Sequence, residues 1–263
     1  MPVTSRVDDR EHAGDAADAD LPDGDALPIN ELFLSLQGEG KLAGVPSVFV
    51  RTSGCNLRCW FCDSYHTSWE PTHAWMSLDE ILAKIESFDA DHVVLTGGEP
   101  LIHDASATLL HELADRGYHT TVETNGTIVP DAPADLASIS PKLESSTPTP
   151  EGDPMAEGEW ADRHEERRID LDALATLVDR FDFQLKFVVT GRDDMTEIEA
   201  LVADLREATN VPVSDDDVLL MPEGQTRDQL DGTRALVADL AVEYGYRYTP
   251  RIHVDLWNDA PEK

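Results

Sequence analysis

Short apolar runs alternate with amphipathic segments along most of the chain, and this pattern predicts a repeated order of strand and helix. The predicted strands span 31–36, 48–50, 92–95, 120–123, 136–140, 184–189 and 218–221. The predicted helices span about 77–88, 104–116, 171–181, 195–208 and 227–244, and the last segment, 246–257, is predicted to be extended. Strands in such an order form a parallel sheet whose carboxyl ends all lie on one side.

The number of strands limits the architecture. The pattern yields about six βα units, whereas a closed barrel of this kind has eight. We therefore predict the α/β class and an open, partial (β/α)6-type barrel. Active sites of related barrels lie at the carboxyl ends of the strands, so motifs that follow predicted strands are the first candidates for chemistry.

Two segments lack this pattern. Residues 1–27 combine acidic side chains with alanine, glycine and proline, a composition that predicts a disordered acidic tail. Residues 143–168 are rich in proline, glutamate, serine and glycine, which predicts a lid or a disordered insertion. The remainder, 28–263, is long enough to bury one sizeable core, so we predict a single domain that carries this insertion.

The formal net charge of the chain is −33, from 53 acidic and 20 basic residues. Such a surface repels nucleic-acid phosphates, so we expect no direct binding of DNA or RNA. Concentrated salt screens self-repulsion of this size, which predicts a salt-adapted, halophilic protein. No apolar run approaches the ~20 residues of a membrane-spanning helix and no signal peptide is recognisable, so we expect a cytoplasmic protein without membrane contact.

All three cysteines of the chain, Cys55, Cys59 and Cys62, lie in one short stretch with the spacing C-x3-C-x2-C. A single loop with this spacing can wrap three sulfurs around one inorganic centre. Iron–sulfur clusters are held by cysteine thiolates, usually four of them. With three thiolates, one iron of a four-iron cluster would have no protein ligand, and that open iron would be a reaction site.

A structural zinc site is the alternative, with Asp63, His66 or His73 as the fourth ligand. Structural zinc sites usually draw their ligands from two separated pairs, and the sequence offers no second pair of cysteines. A disulfide framework is disfavoured by the odd number of cysteines. These observations favour the open cluster.

Gly97-Gly98-Glu99-Pro100 follows the predicted strand 92–95. The cysteine motif and this stretch, in this order, resemble the radical S-adenosylmethionine (SAM) superfamily. The resemblance implies a 4Fe–4S cluster on the three cysteines, SAM bound at its open iron, and reductive cleavage of SAM to a 5′-deoxyadenosyl radical. It also implies that backbone groups of Gly97 and Gly98 contact the SAM ammonium, with Glu99 nearby.

Asn125, Ser140 and Lys142 follow successive predicted strands, so their side chains are candidates to line the same cavity. The resemblance implies SAM contacts at these positions, and Lys142 lies where a carboxylate or a ribose of SAM could meet it. Each of the three residues is also compatible with a turn that satisfies its own hydrogen bonds.

A second group of residues points to a substrate. Gln37-Gly-Glu39-Gly40, Arg51, Cys62-Asp63-Ser64 and Arg251-x-His253 resemble the 7-carboxy-7-deazaguanine synthase family over residues 30–258. That family converts 6-carboxy-5,6,7,8-tetrahydropterin to 7-carboxy-7-deazaguanine with loss of ammonia, on the route to deazapurine nucleosides of tRNA such as queuosine and archaeosine. The resemblance further implies Mg²⁺, a homodimer, and a one-electron donor such as flavodoxin or ferredoxin.

The side chains suit that substrate. Glu39 can accept hydrogen bonds from the amino and ring N–H groups of a pterin, and Gln37 supplies both a donor and an acceptor. Arg51 can pair with the substrate carboxylate through two parallel hydrogen bonds. The sequence indicates no protein group as a general acid or base.

Three further assignments come from the family. Ser64 offers a hydroxyl oxygen to Mg²⁺, which prefers hard oxygen ligands. The family often has threonine at this position, and serine retains the ligand oxygen without the methyl group. Asp63 is either a substrate contact or a residue that orients one, and His253 is either substrate-facing or structural.

Two other classes of function are compatible with parts of this sequence. A radical SAM activase that installs a glycyl radical on a partner protein shares the cysteine motif and a compact partial barrel. Such an activase would consume SAM stoichiometrically and needs no equivalent of Glu39 or His253. A metal-binding module without catalytic activity would instead bind zinc and no SAM.

Overall fold

A nine-stranded sheet organises the molecule, and the computed structural model describes residues 25–149, 160–258 and 260. In space the strands follow the order β3-β1-β2-β4-β5-β6-β7-β8-β9. Their bounds are β1 Ala26–Leu36, β2 Pro46–Thr52, β3 Ala74–Ser77, β4 His92–Gly97, β5 His119–Thr124, β6 Leu136–Ile139, β7 Phe183–Val189, β8 Val218–Pro222 and β9 Arg247–Tyr248.

Helices pack against this sheet. Their bounds are α1 Tyr65–Ser68, α2 Leu78–Glu86, α3 Ala105–Asp115, α4 Trp160–Arg167, α5 Leu171–Arg180, α6 Asp194–Ala208, α7 Arg227–Tyr244 and α8 Ile252–Trp257. No helix in the described ranges is long and apolar enough to cross a membrane.

Six consecutive parallel strands, β2 and β4 to β8, form the centre of the sheet. On one side, β1 pairs antiparallel with β2 and β3 pairs antiparallel with β1. On the other side, β9 adds a short parallel strand to β8. The two outer strands do not pair with each other in the described sheet, so the predicted α/β class and open, partial barrel are confirmed.

Two apolar clusters hold the helices against the sheet. The first lies between β6 to β8 and helices α5 to α7, and it includes Leu177, Phe187, Val202 and Leu240. The second lies between β1, β2, β4 and helices α2 and α3, and it includes Val50, Ile81, Leu95 and Leu110. Because the central parallel strands are covered in this way, their sequences are nearly continuous apolar runs.

Helix ends follow the local signals of the sequence. Ser77 Oγ accepts a hydrogen bond from the Glu80 backbone N–H, and the Glu80 carboxylate accepts one from the Ser77 N–H, so the predicted capping box opens α2. Helix α7 ends at Gly245, whose φ of +75° is the left-handed conformation that glycine adopts without strain.

Three segments differ from the prediction. Helix α4 lies within 143–168, which was predicted as a loop, and it forms because His164 and Trp160 pack against the cysteine loop. Helix α8 lies within 246–257, which was predicted to be extended. Strand β1 begins at Ala26, inside the predicted tail, because Leu27 is buried in the core. The rest of that tail, 1–24, and residues 150–159 of the insertion lie outside the described residues.

Candidate active site

A cavity of about 470 Å³ opens where the central parallel strands end, and it gathers nearly all of the residues that the sequence singled out. The predicted residues that line it are Gln37, Glu39, Arg51, Cys55, Cys59, Cys62, Asp63, Ser64, Gly97, Gly98, Asn125, Ser140, Lys142 and His253. Thus the cysteine loop, the glycine-rich end of β4 and the candidate substrate residues share one space.

The cysteine loop lies directly against the end of β4, and the glycines there make this contact possible. A Cβ atom on Gly98 would lie 2.3 Å from the Gly54 carbonyl oxygen and 2.7 Å from Cys55 Cβ. A Cβ atom on Gly97 would lie 2.3 Å from the Thr52 carbonyl oxygen. The Glu99 N–H donates to the same Gly54 carbonyl at 2.9 Å. Only glycine allows this close approach of two backbones.

The three thiols meet the requirements of a cluster site. Burial raises the pKa of Cys55 and Cys59 to about 12 and also raises the pKa of Cys62. When a metal centre binds thiols of this kind, each sulfur loses its proton and binds the metal as a thiolate. All three face the same cavity, and none is in a disulfide. The donor set therefore fits an iron–sulfur cluster bound by three thiolates.

The zinc alternative requires four ligands around one ion. Across residues 25–149, 160–258 and 260, no group of three or more His, Cys, Asp or Glu side chains could hold a single metal ion. Of the two histidines considered as fourth ligands, His66 lines the cavity, whereas His73 lies outside it against Trp75.

A chain of buried charges runs along one wall of the cavity. Lys186 Nζ donates to Glu39 Oε2 at 2.6 Å and to Glu123 Oε2 at 2.9 Å. Arg251 Nε donates to Glu39 Oε1 at 3.0 Å. Gln37 Nε2 donates to Glu123 Oε1 at 3.1 Å. These hydrogen bonds link residues from β5, β7, the turn after β1 and the start of α8 into one network.

The network fixes the charge of its members. Burial alone raises the pKa of Glu39, but the charges of Lys186 and Arg251 outweigh it and lower the pKa well below its usual range. Burial lowers the pKa of Lys186, whereas Glu123 and Glu39 raise it above its ordinary value. Glu39 is therefore a carboxylate, and so an acceptor of hydrogen bonds only.

Arg51, Ser64 and Asp63 form a second polar group. Arg51 donates from Nε to Glu31 at 2.9 Å and from its guanidinium to Ser64 Oγ at 2.8 Å. Ser64 Oγ in turn donates to Asp63 Oδ1 at 3.2 Å, and Arg251 pairs with the other oxygen of Asp63. Burial raises the pKa of Asp63, yet Arg251 lowers it overall. Asp63 is thus held as a carboxylate beside the Ser64 hydroxyl.

His253 lies against the turn that carries Glu39. A Cβ atom on Gly38 would lie 1.9 Å from His253 Nδ1, so glycine is needed at that position. The other ring nitrogen, Nε2, lies 3.9 Å from Glu39 Oε1. Burial lowers the pKa of His253, which favours the neutral ring. The Gln-Gly-Glu-Gly stretch therefore makes room for a histidine from the other end of the chain.

The ends of β5 and β6 carry the candidate SAM residues Asn125, Ser140 and Lys142. Lys142 Nζ donates to Ser140 Oγ at 2.7 Å. Asn125 Nδ2 donates to Asn56 Oδ1 at 2.8 Å, which ties the end of β5 to the cysteine loop. All three candidates follow the ends of β5 or β6, as the sequence indicated.

Glu99, which is predicted to lie near SAM, is not among the residues that line the cavity. Its carboxylate is completely buried and accepts hydrogen bonds from the backbone N–H groups of Leu101 and Asn125 and from the Thr124 hydroxyl. Burial raises its pKa to about 7. Glu99 thus joins the ends of β4 and β5 and contacts Asn125, which lines the cavity.

Lys186 and Glu123 are among the polar residues of the cavity that the sequence did not indicate. Lys186 lies in the middle of β7, a strand otherwise suited to burial, and Glu123 lies near the end of β5. A lysine within an apolar strand of so acidic a chain is a signal that it has a buried partner. The partners themselves, Glu39 and Glu123, are far apart in sequence and could be paired only by the fold.

Comparison with known proteins agrees with this geometry. A family model described as the radical SAM superfamily matches residues 49–144, which hold the cysteine loop and the end of β4. The fold and the site thus define a radical SAM protein, a class that uses a 4Fe–4S cluster and SAM.

Relatives over the whole chain give the family within that class. A 7-carboxy-7-deazaguanine synthase from Halobacterium salinarum is 66% identical over 263 residues, all of both chains. One from Rhodopirellula baltica is 42% identical over 230 residues, 87% of this chain and 86% of that protein. The crystal structure of QueE from Escherichia coli matches with a TM-score of 0.63 and 27% identity, covering 87% of this chain and 95% of that one. The chain belongs to the 7-carboxy-7-deazaguanine synthase family.

Proposed function

We propose that the chain converts 6-carboxy-5,6,7,8-tetrahydropterin to 7-carboxy-7-deazaguanine with loss of ammonia. The observation that carries the proposal is the cavity in which the three-cysteine loop faces a buried network around Glu39. The names of two relatives, one matching the whole chain and one matching 87% of it, support the same reaction.

The network supports a role in holding the pterin. Glu39 is kept ionised by Lys186 and Arg251, so its oxygens can accept from the amino and ring N–H groups of the substrate. Gln37 lies beside it and can donate from its amide or accept at its oxygen. Arg51 lines the same cavity and carries a guanidinium suited to the substrate carboxylate. The cluster and SAM, when bound, supply the radical that removes hydrogen from the pterin.

A Mg²⁺ ion belongs to the proposal as well. Ser64 Oγ and Asp63 Oδ1, 3.2 Å apart, are the hard oxygen atoms that such an ion prefers. Arg51 donates to the same Ser64 oxygen, so the site brings together a guanidinium, a hydroxyl and a carboxylate. The hydroxyl and the carboxylate would hold the ion, which would supply positive charge at this place, and the Arg51 guanidinium would pair with the substrate carboxylate.

For SAM, the proposal assigns the wall formed by the ends of β4, β5 and β6. Backbone groups of Gly97 and Gly98 would contact the ammonium, and Asn125, Ser140 and Lys142 the remaining polar groups. Glu99 would support this wall from below, through its hydrogen bond to the Asn125 N–H.

The remaining parts of the proposal follow the family. A flavodoxin or ferredoxin would reduce the cluster, the chain would act as a homodimer, and the product would lead to deazapurine nucleosides of tRNA. We also propose that the chain is a single domain with an acidic tail and an insertion. We further propose that it is adapted to concentrated salt in the cytoplasm.

The test is an anaerobic assay. The protein is reconstituted with iron and sulfide, supplied with reductant, SAM, Mg²⁺ and the pterin in high salt, and its products are followed by mass spectrometry. We expect a deazapurine carboxylate over many turnovers without matching loss of SAM. Cleavage of SAM with the pterin left intact would contradict the proposal and favour the activase.

A pair of variants makes the test specific to the site. Glu39→Gln removes the buried acceptor, so product formation should fall sharply while iron content is retained. Asp217→Asn, which removes a carboxylate paired with Lys41 outside the cavity, is the control and should keep full activity.

A further inference from the structure

Two buried hydroxyl groups contact the cysteines and are not used in the proposed reaction. Ser68 Oγ donates to Cys62 Sγ at 3.1 Å. The Ser146 hydroxyl lies beside the Cys59 thiol, where it lowers the pKa of that thiol against the larger effect of burial. Both serines are shielded from solvent, since Ser68 is 2% exposed and Ser146 is 0% exposed. Two of the three cysteines therefore each lie beside a buried hydroxyl group.

His164 orients one of these hydroxyls. The Arg58 backbone N–H donates to His164 Nδ1 at 3.1 Å. A backbone N–H can only donate, so we infer that Nδ1 is the acceptor and Nε2 carries the hydrogen of the ring. His164 Nε2 lies 2.9 Å from Ser146 Oγ and therefore donates to it. The Ser146 hydroxyl hydrogen is left for either the Leu143 carbonyl oxygen, at 2.6 Å, or the Cys59 sulfur.

The segment that carries these residues is anchored to the cysteine loop. The Arg58 guanidinium lies 4.2 Å from the centre of the Trp160 ring at the start of α4. Trp60 Nε1 donates to the Ser145 carbonyl at 2.7 Å, and the Trp60 N–H donates to the Ser146 carbonyl at 3.2 Å. Contacts on both sides of Cys59 thus hold Ser146 in place against it.

We propose that Ser68 and the Ser146–His164 pair are positioning residues that raise the reduction potential of the cluster. Hydrogen bonds to cysteine sulfurs stabilise the reduced cluster, which carries more negative charge. A cluster-bound thiolate is a stronger acceptor than a neutral carbonyl, so it draws the Ser146 hydroxyl from Leu143 to Cys59. The inference rests on the cluster of the proposed function but not on the identity of the substrate.

The test measures the cluster without any pterin. Wild type, Ser68→Ala and Ser146→Ala are reconstituted anaerobically, their iron content is determined, and the midpoint potential is obtained by redox titration followed by electron paramagnetic resonance. Both variants should hold as much iron as wild type and have more negative midpoint potentials. Ser146→Thr, which keeps the hydroxyl, should remain close to wild type.

Variants of His164 separate orientation from packing. His164→Asn retains an acceptor for the Arg58 N–H but is too short to donate to Ser146. It should therefore shift the potential in the same direction as Ser146→Ala at wild-type iron content, even though the thermal midpoint falls because α4 loses a buried contact.

The chain provides a matched control in a second buried pair of serine and histidine. Ser47 Oγ donates to the Val45 carbonyl at 2.9 Å and lies 2.6 Å from His92 Nδ1, away from the cavity. Ser47→Ala should leave the potential unchanged.

Full iron content with wild-type potentials in Ser68→Ala and Ser146→Ala would overturn the inference. So would loss of iron in these variants without a shift in the cluster that remains. A wild-type protein that binds no cluster would overturn the proposed function itself.

Discussion

Glu39 stays ionised because two cations face its carboxylate. Lys186 and Arg251 donate to its two oxygens, and both cations are shared with a second carboxylate. Charges buried in this way are stable only as a set, since each one removed from water needs a partner. The same set presents an acceptor to the cavity, so the residues that make the site suited to a pterin also make it sensitive to substitution.

The first prediction concerns Lys186→Met. The variant leaves Glu39 and Glu123 buried beside each other without the cation between them, so we expect the free energy of unfolding to fall by about 3 kcal/mol or more. The pKa of Glu39 should rise, and the affinity for the pterin should fall with it. Urea denaturation at pH 7 measures the first effect, and calorimetric titration with pterin measures the second.

Lys41→Met is the control for that substitution. Lys41 also pairs with a carboxylate, Asp217, at 2.7 Å, but both side chains are partly exposed. Its loss should cost no more than about 1 kcal/mol. Equal destabilisation by the two variants would contradict the role assigned to the buried network.

The second prediction concerns pH and His92. Burial lowers the pKa of His92 to about 4, whereas an unfolded histidine titrates near ~6.5. Between these values the unfolded state binds the extra proton, so stability rises with pH and is lost as the pH falls from about 6.5 to 4. In His92→Gln the slope of unfolding free energy should decrease by about 1 kcal/mol per pH unit. Urea titrations from pH 4.5 to 7.5 measure it, and an unchanged slope would refute the assignment.

The end of β4 shows how one element determines the position of another. In Gly98→Ala, the added Cβ would overlap the backbone of the cysteine loop, and that loop cannot move without displacing Cys55. We therefore predict that Gly98→Ala loses most of its iron on reconstitution. Gly191→Ala, where a Cβ would meet open space, is the matched control and should retain it. Iron content per chain decides between them, and full iron in Gly98→Ala would contradict the prediction.

The central strands could be predicted from sequence because they are apolar runs whose pattern does not depend on distant residues. Many residues that line the cavity could also be predicted, because motifs at the ends of parallel strands must meet on one side of the sheet. The hydrogen-bond partners of Glu99 could not be predicted in this way. Its position in a motif does not reveal that Thr124 and Asn125 donate to its carboxylate underneath the cavity.

Helices α4 and α8 show the limit of local pattern. The side chain that α4 buries is a histidine, His164, and its partners Arg58 and Ser146 lie on other segments. Helix α8 has six residues and follows Arg251, whose side chain reaches Glu39 near the start of the chain. In both cases long-range contacts with polar side chains stabilise the helix, and such contacts cannot be predicted from hydrophobic periodicity.

The whole molecule carries a net charge of −33, and this charge acts on the folded state as a unit. Self-repulsion destabilises a compact chain, and salt weakens it because the screening length falls from ~10 Å at 0.1 M to ~3 Å at 1 M. Buried pairs such as Lys186–Glu39 are screened much less than exposed charges. Salt should therefore relieve repulsion at the surface while leaving the network of the cavity largely intact.

The last prediction follows from the difference in screening between exposed charges and buried ion pairs. The urea midpoint of the wild-type protein should rise steadily as KCl increases from 0.1 to 2 M, because exposed carboxylates repel one another less. The loss of stability caused by Lys186→Met should stay nearly constant over the same range, since the pairs it removes are buried. Sorbitol at matched osmolality separates screening from exclusion of the solute. A midpoint that is independent of KCl would show that this acidic surface needs no salt.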